Sequence, residues 1–222
     1  MSANLLKSFN ILHFCKMKKI KSIIFDLGAV LLNIDYNKTI SEFNKIGIKN
    51  SNKFYSKENQ NSLFDLLETG NISEKKFIHE VQNLCDVNDK KSIICAWNAM
   101  ILDLPEKRLE LIHKLKKKYR LYLLSNTNAI HIRYFIEKIG KEKYEYFYSA
   151  FNKVYFSHEI SLRKPDKKSF ELILLENSLL PTEVLFIDDS IQHIESANKL
   201  KINTHHLKNN EDVIDLFPDI IQ

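Results

Sequence analysis

The sequence predicts an α/β protein: a doubly wound parallel sheet in a Rossmann-like core, with an α-helical cap inserted after the first strand. Three observations carry this. Four short runs, "SIIFD" (22–26), "RLYLLSN" (120–126), "KVYFS" (153–157) and "EVLFIDD" (183–189), are apolar almost throughout. Such near-continuous apolarity, rather than alternation, marks strands covered on both faces. Helical patterns separate the last three runs, as βαβ units require. Residues of about 36–104 contain no convincing buried strand and read as helices alone.

Each element has its own local reason. After the first run, "NKTISEFNKIG", "NQNSLFDLLETG", "SEKKFIHEVQNLC" and "DKKSIICAWNAM" read as cap helices, punctuated by Gly47 and Gly70. Ser73 is an N-terminal capping residue, although Lys76 three places on denies it a capping box. Pro105 is tolerated in a first helical turn ahead of "EKRLELIHKLKKK". "NAIHIRYFIEKIG" (128–140) ends on Gly140, a C-terminal cap. "PDKKSFELILLEN" (165–177) follows the third run, and "SIQHIESANKLKI" after the fourth puts Ile191, Ile194 and Ala197 on one face. "NTHHL" reads as a fifth, edge strand, in which His205 and His206 point to opposite faces and are structural. The expected organisation is a core of 17–35 and 105–222, a helical cap of 36–104, and an N-terminal extension of 1–16. That extension is expected to be poorly ordered, because "NILHF" is no signal-peptide core and Met17 opens a natural start at "MKKIKSIIFD".

Composition excludes several function classes. The 222 residues are 44% hydrophobic and 27% charged, with a net charge of +5, enough apolar material for one sizeable core. The densest basic run, "KLKKKYR" (114–120), lacks interleaved aromatics and reads as a solvated helix end, so no nucleic-acid partner is expected. The three cysteines, Cys15, Cys85 and Cys95, form no CxxC pair, and an odd count points to reduced thiols in a cytoplasmic setting. No apolar run approaches the roughly 18–20 residues of a membrane helix. A monomer or homodimer is expected.

In doubly wound sheets, ligands bind beyond the carboxyl ends of the strands. The polar residues at those ends are Asp26 after the first run, Ser125 and Asn126 after the second, Lys164 in "SLRKPD" after the third, and Asp188 and Asp189 after the fourth. A single carboxylate there is often only a helix cap. Three in one crevice repel unless a cation joins them. Magnesium suits best, since it takes oxygen ligands and keeps positions open for a phosphate. No histidine or cysteine cluster argues for zinc.

The four pieces "FDLGAV", "LLSNTN", "RKP" and "IDDS", in this order, resemble the four motifs of the haloacid dehalogenase superfamily, from about residue 20 to about 207. Within it, "FDLG", "LSNTN", "LRKP" and "DD…IESA" are most similar to the glucose-1-phosphatase-like branch. The resemblance implies a Mg²⁺-dependent phosphatase acting on a small phosphorylated metabolite, such as a sugar phosphate. Asp26 would be the nucleophile, forming an aspartyl-phosphate, as an ionised carboxylate needing no activating base. Lys164 would offset charge repulsion, and Ser125 and Asn126 would hydrogen-bond phosphate oxygens. Asp26, the Gly28 backbone carbonyl, Asp188 and Asp189 would hold the metal.

One position departs from the pattern. Many phosphatases of this superfamily carry a second Asp two residues after the nucleophile, as general acid and base. Gly28 stands there instead. The loss could forfeit roughly 10²–10⁴-fold in rate. Substrates with acidic leaving groups, such as sugar 1-phosphates and acyl phosphates, would need it least. His131 or Asp35 could substitute, although His131 reads better as a surface helix residue and Asp35 as a helix cap. Two alternatives stay open: a metal-independent 2-haloacid dehalogenase, and a non-catalytic homologue that binds a phosphorylated ligand. Phe64, Phe77 and Trp97 are aromatic candidates for the pocket wall, although helical spacing makes core packing the better reading.

Overall fold

The computed structural model describes residues 19–48, 62–85 and 89–221. The extension of 1–16, Met17 and residues 59–61 of the second expected cap helix lie outside the described residues. Five parallel strands form one sheet in the order β3-β2-β1-β4-β5. These are β1 (Ser22–Phe25), β2 (Arg120–Ser125), β3 (Lys153–Phe156), β4 (Val184–Asp188) and β5 (Asn203–His206). Each buried strand coincides with an apolar run, shortened by one or two terminal residues where the chain leaves the ladder.

The pleat divides the core into two layers. Ile23, Phe25, Leu121, Leu123, Leu185 and Ile187 face one side. There they meet α5 (Glu106–Leu115), α6 (Ala129–Ile139) and α7 (Lys141–Ser149) through Leu111, Ile112, Phe135 and Phe147. Ile24, Tyr122, Leu124 and Phe186 face the other side, against Phe170 and Ile173 of α9 (Lys167–Glu176) and Ile194 and Ala197 of α10 (Ile191–Lys199). Successive residues therefore serve opposite layers, which is why these runs show no polar alternation.

Helices α1 (Tyr36–Lys45), α2 (Ser62–Glu68), α3 (Glu74–Gln82) and α4 (Lys90–Asn98) lie between β1 and α5 in sequence. Phe43, Phe64, Phe77 and Trp97 pack together, with ring centroids 4.9–6.5 Å apart. Thr39 Oγ1 donates to the Trp97 carbonyl and accepts from Met100 N–H, tying α1 to α4. The segments entering and leaving the insert pair antiparallel at Ile34 and Ile101. Asn33 N–H donates to Asp103 O, Leu102 N–H to Asn33 O and Asp35 N–H to Met100 O, at 2.9–3.0 Å.

The helix ends follow the sequence signals. Asp35, Ser73 and Asn128 each accept bonds from backbone N–H groups of the first turn. Gly140, at φ 86°, ends α6 and at once starts α7. Helix α7, a one-turn α8 (Ser157–Ile160) and α11 (Pro218–Ile221) are elements that the periodicity does not announce. Among these, α7 buries Phe147 but otherwise presents lysines, glutamates and tyrosines, so it carries no apolar stripe.

Candidate active site

Strand register explains why distant residues meet. Phe25 lies opposite Leu123 on one side and Ile187 on the other. The next residue, Asp26, therefore emerges beside Asp188, and its N–H donates to Ile187 O at 3.0 Å. The strand order reverses around β1, so the crevice opens where such sheets bind ligands. A cavity of about 310 Å³ sits there, lined by Asp26, Gly28, Ser125, Asn126, Lys164 and Asp189, among others.

Lys164 is the centre of this arrangement. It is completely buried, and its Nζ donates to Asp26 Oδ1 and Asp188 Oδ2, both at 2.7 Å. Asn126 fixes the lysine from behind. Its Nδ2 donates to Lys164 O at 2.8 Å, and its Oδ1 accepts from Lys164 N–H at 2.9 Å. The Asn126 side chain is thus occupied in holding the lysine's backbone. Ser125, at the end of β2, is buried against the cavity.

Asp188 is more fully engaged than the sequence indicates. Its Oδ1 accepts from Ser190 N–H at 2.7 Å, and His193 Nδ1 lies 2.9 and 3.0 Å from its two oxygens. A carboxylate only accepts, so Nδ1 carries the proton. Burial opposes ionisation of Asp188, but Lys164 and His193 outweigh it and hold the carboxyl well below its ordinary range. Asp189 is oriented from its backbone, where its carbonyl accepts from His206 Nε2 at 3.2 Å. His205 turns instead to Glu211 at 3.3 Å.

The three carboxylates Asp26, Asp188 and Asp189 each offer an oxygen within 4.8 Å of the others. One ammonium cannot balance them. Burial, and then the neighbouring Asp188 and Asp189, push Asp26 up to about 7 despite Lys164. The carboxylates around Asp26 thus leave negative charge that Lys164 alone does not offset. An all-oxygen donor set with an excess of negative charge fits a hard divalent cation, so the expected Mg²⁺ is chemically compatible with these residues.

Gly28 is a matter of space rather than backbone conformation. A Cβ built there lies 3.0 Å from Ile34 Cδ1, and its φ is not left-handed. The left-handed residue is its neighbour Ala29, at φ 59°. The terminal methyl of Ile34 thus borders the space at residue 28 and would have to give way by a few tenths of an ångström to a side chain there.

His131 corrects the sequence reading. It is buried at 8% exposure, not a surface residue, and stacks on Trp97 at 4.4 Å. Its Nε2 lies 3.1 Å from Trp97 O, and burial pushes it down to about 4. It borders the cavity as a neutral ring. Asp35 caps α1 and does not line the cavity. Phe64, Phe77 and Trp97 belong to the insert's core rather than the wall.

Several wall residues are not singled out by the sequence. His193 is one. Arg163 is another: its guanidinium pairs with Asp65 and, at 3.0 Å, with Glu68, both on α2. Its place beside Lys164 and the three-residue spacing of Asp65 and Glu68 on one helix face are the available signals. Their meeting across 98 positions is not readable. Thr127 also lines the cavity, and its N–H donates to Ser157 Oγ at 2.9 Å.

Comparisons with known proteins agree with this geometry. The family profile described as haloacid dehalogenase-like hydrolase matches residues 23–206. A curated D-ribitol-5-phosphate phosphatase of Bacteroides thetaiotaomicron is 28% identical over 197 residues, covering 87% of this chain and 94% of that protein. A HAD family enzyme of the same organism, crystallised as an aspartate-to-alanine variant with magnesium and inorganic phosphate, superposes with a TM-score of 0.82. It is 33% identical, and the match covers 89% of this chain and 98% of that one. A predicted HAD-like family hydrolase from Porphyromonas gingivalis gives 0.81 at 27% identity, covering 92% and 98%. Since the family match runs from β1 through β5 and takes in every strand end that contributes to the cavity, the chain belongs to the haloacid dehalogenase-like hydrolase family.

Proposed function

We propose that this enzyme is a magnesium-dependent phosphatase of small phosphorylated metabolites, sugar or alditol phosphates, working through an aspartyl-phosphate on Asp26. The observation that carries the reading is the buried Lys164 bridging Asp26 and Asp188 at 2.7 Å on the floor of a cavity of metabolite size. The D-ribitol-5-phosphate phosphatase relative supports the substrate class.

In the first step an Asp26 carboxylate oxygen attacks phosphorus. The ester P–O bond breaks, and the alcohol oxygen departs with the electron pair and takes a proton from water. In the second step water attacks phosphorus, the acyl-phosphate bond breaks, and inorganic phosphate leaves with Asp26 regenerated. Lys164 places positive charge against the nucleophile and the incoming phosphate. Ser125 and the backbone at Asn126 donate to phosphate oxygens. Asp188, oriented by His193, holds the lysine, and Tyr36 of α1 with Asp65 and Glu68 of α2 lines the cavity from the insert. Asp26, Asp189 and the Gly28 carbonyl would hold Mg²⁺, with Asp188 behind them, and the ion would supply the charge that one lysine lacks. His131 does not replace the missing acid, because burial keeps it neutral and its Nε2 is bonded to Trp97.

The test is phosphate release from p-nitrophenyl phosphate, D-ribitol 5-phosphate and glucose 1-phosphate, with Mg²⁺ or EDTA, beside Asp26→Asn. Release that requires Mg²⁺ and disappears in the variant is expected. No release across the panel would sink the proposal. Chloride release from 2-chloropropionate without metal would point to the dehalogenase instead, and tight binding without turnover to a non-catalytic homologue.

A further inference from the structure

The turn after β2, formed by Ser125, Asn126 and Thr127, is held by the loop that follows the neighbouring strand. Ser125 lies opposite Phe156 at the end of the β2–β3 ladder, so Asn126 and Ser157 are the first residues beyond it. Thr127 N–H donates to Ser157 Oγ, and Ser157 Oγ donates to Thr127 O, both at 2.9 Å. Farther along the same loop, the N–H and carbonyl of Lys164 are bonded by the Asn126 amide. The two ends of the 157–164 segment therefore grip two successive residues of the turn.

We propose that Ser157 is a positioning residue of the reaction, setting the affinity for the phosphoryl group by fixing the turn that carries Ser125 and Asn126. The proposal rests on the phosphatase reading above.

A hydroxyl both donates and accepts, and Ser157 spends both capacities on the backbone of one residue. The N–H it receives belongs to the peptide joining Asn126 to Thr127. The carbonyl it bonds belongs to the peptide joining Thr127 to Asn128. One side chain thus fixes two successive peptide planes. Asn128 carries the constraint onward, since its Oδ1 accepts from Ile130 and His131 N–H at the start of α6. Ser157 is completely buried and does not line the cavity, whereas Ser125, Asn126 and Thr127 do. It therefore reaches a bound phosphate only through the turn. Alanine there would remove both bonds at a position closed to water, and donors displaced by a fraction of an ångström hold phosphate oxygens poorly.

The experiment measures KM for p-nitrophenyl phosphate and the inhibition constant of inorganic phosphate, in saturating Mg²⁺, for Ser157→Ala and Ser157→Thr. Phosphate oxygens are present in substrate, transition state and product, so loosened donors weaken all three alike. In Ser157→Ala both constants are expected to rise about tenfold, with kcat within about threefold of wild type. Both constants are independent of the active fraction of a preparation, so lower stability alone moves neither. Ser157→Thr keeps the hydroxyl and is expected to return both toward wild type. Unchanged constants in Ser157→Ala, or a fall in kcat alone, overturn the proposal while leaving the phosphatase reading intact. No Mg²⁺-dependent release from p-nitrophenyl phosphate by wild type removes that reading, and the proposal with it.

Discussion

Replacing Gly28 by Asp, with Ile34 shortened to Val, should create the proton donor that this site lacks. The geometry sets the terms. The new Cβ would sit 3.0 Å from Ile34 Cδ1, about half an ångström inside a normal carbon–carbon contact. Valine has no Cδ1, so the second substitution removes the one atom that crowds the new Cβ. Residue 28 is not in the left-handed region, so an aspartate backbone fits without strain. Trimming the half-buried Ile34 costs about 1 kcal/mol of stability.

A positioned general acid contributes roughly 10²–10⁴-fold. A group added to a site shaped without it should recover the lower part of that range, about 10–100-fold. The gain should appear only where the leaving group needs a proton. The assay is therefore kcat/KM for D-ribitol 5-phosphate divided by that for p-nitrophenyl phosphate, in saturating Mg²⁺. The ratio should rise by about tenfold or more in the double variant, and less in Gly28→Asp alone, where Ile34 must retreat. A folded, Mg²⁺-dependent double variant with an unchanged ratio would refute the idea that proton delivery is the compromised step.

Lys164→Met removes the one ammonium between Asp26 and Asp188. Activity should fall below detection, and urea unfolding without Mg²⁺ should show a loss of about 3–5 kcal/mol, partly recovered when Mg²⁺ is added. His193→Ala frees one face of Asp188 and should lower kcat by about 10–100-fold with little change in KM. His193→Asn, which can still donate to the carboxylate, should recover part of it. For His131 the folded value of about 4 lies below the ordinary 6.5, so the unfolded chain binds the extra proton between them. Its stabilisation is full above about pH 6.5 and is lost as pH falls toward about 4. Urea unfolding should therefore weaken by about 2 kcal/mol from pH 7 to pH 5 through this residue, and His131→Asn should remove that component.

The parts of the site legible in sequence are those made by strand ends. Asp26, Ser125 and Asp188 sit where an apolar run stops, and parallel register carries that order directly into space. Asn126 was legible as a site residue, but not the grip of its amide on the Lys164 backbone, which joins β2 to the loop after β3. His193 falls on the first turn of α10, where periodicity assigns it only a solvent or core face. Its bond to Asp188 depends on the turn at Ser190. His131 is the sharpest failure. Its helix is amphipathic as expected, but the insert's Trp97 lies over the face that would otherwise meet water. Contacts made by an insertion on the core are settled by tertiary packing, and single-sequence periodicity does not see them.

The glycine and the inserted helices meet at one side chain, Ile34. Ile34, which fills the space at residue 28, pairs with Ile101 in the short ladder through which the inserted helices join the core. Both isoleucines also form part of the cavity wall. A side chain at residue 28 would press first on the end of Ile34, whose backbone belongs to that ladder. The chain thus keeps Asp26, Lys164, Asp188 and Asp189 together while the Ile34 side chain borders the space beside residue 28. On this argument, Ile34→Val alone should do little for alkyl esters, because it opens the space without supplying a proton. Gain in the double variant without gain in Ile34→Val would assign the effect to the carboxylate. Equal gain in both would assign it to the shortened Ile34 side chain.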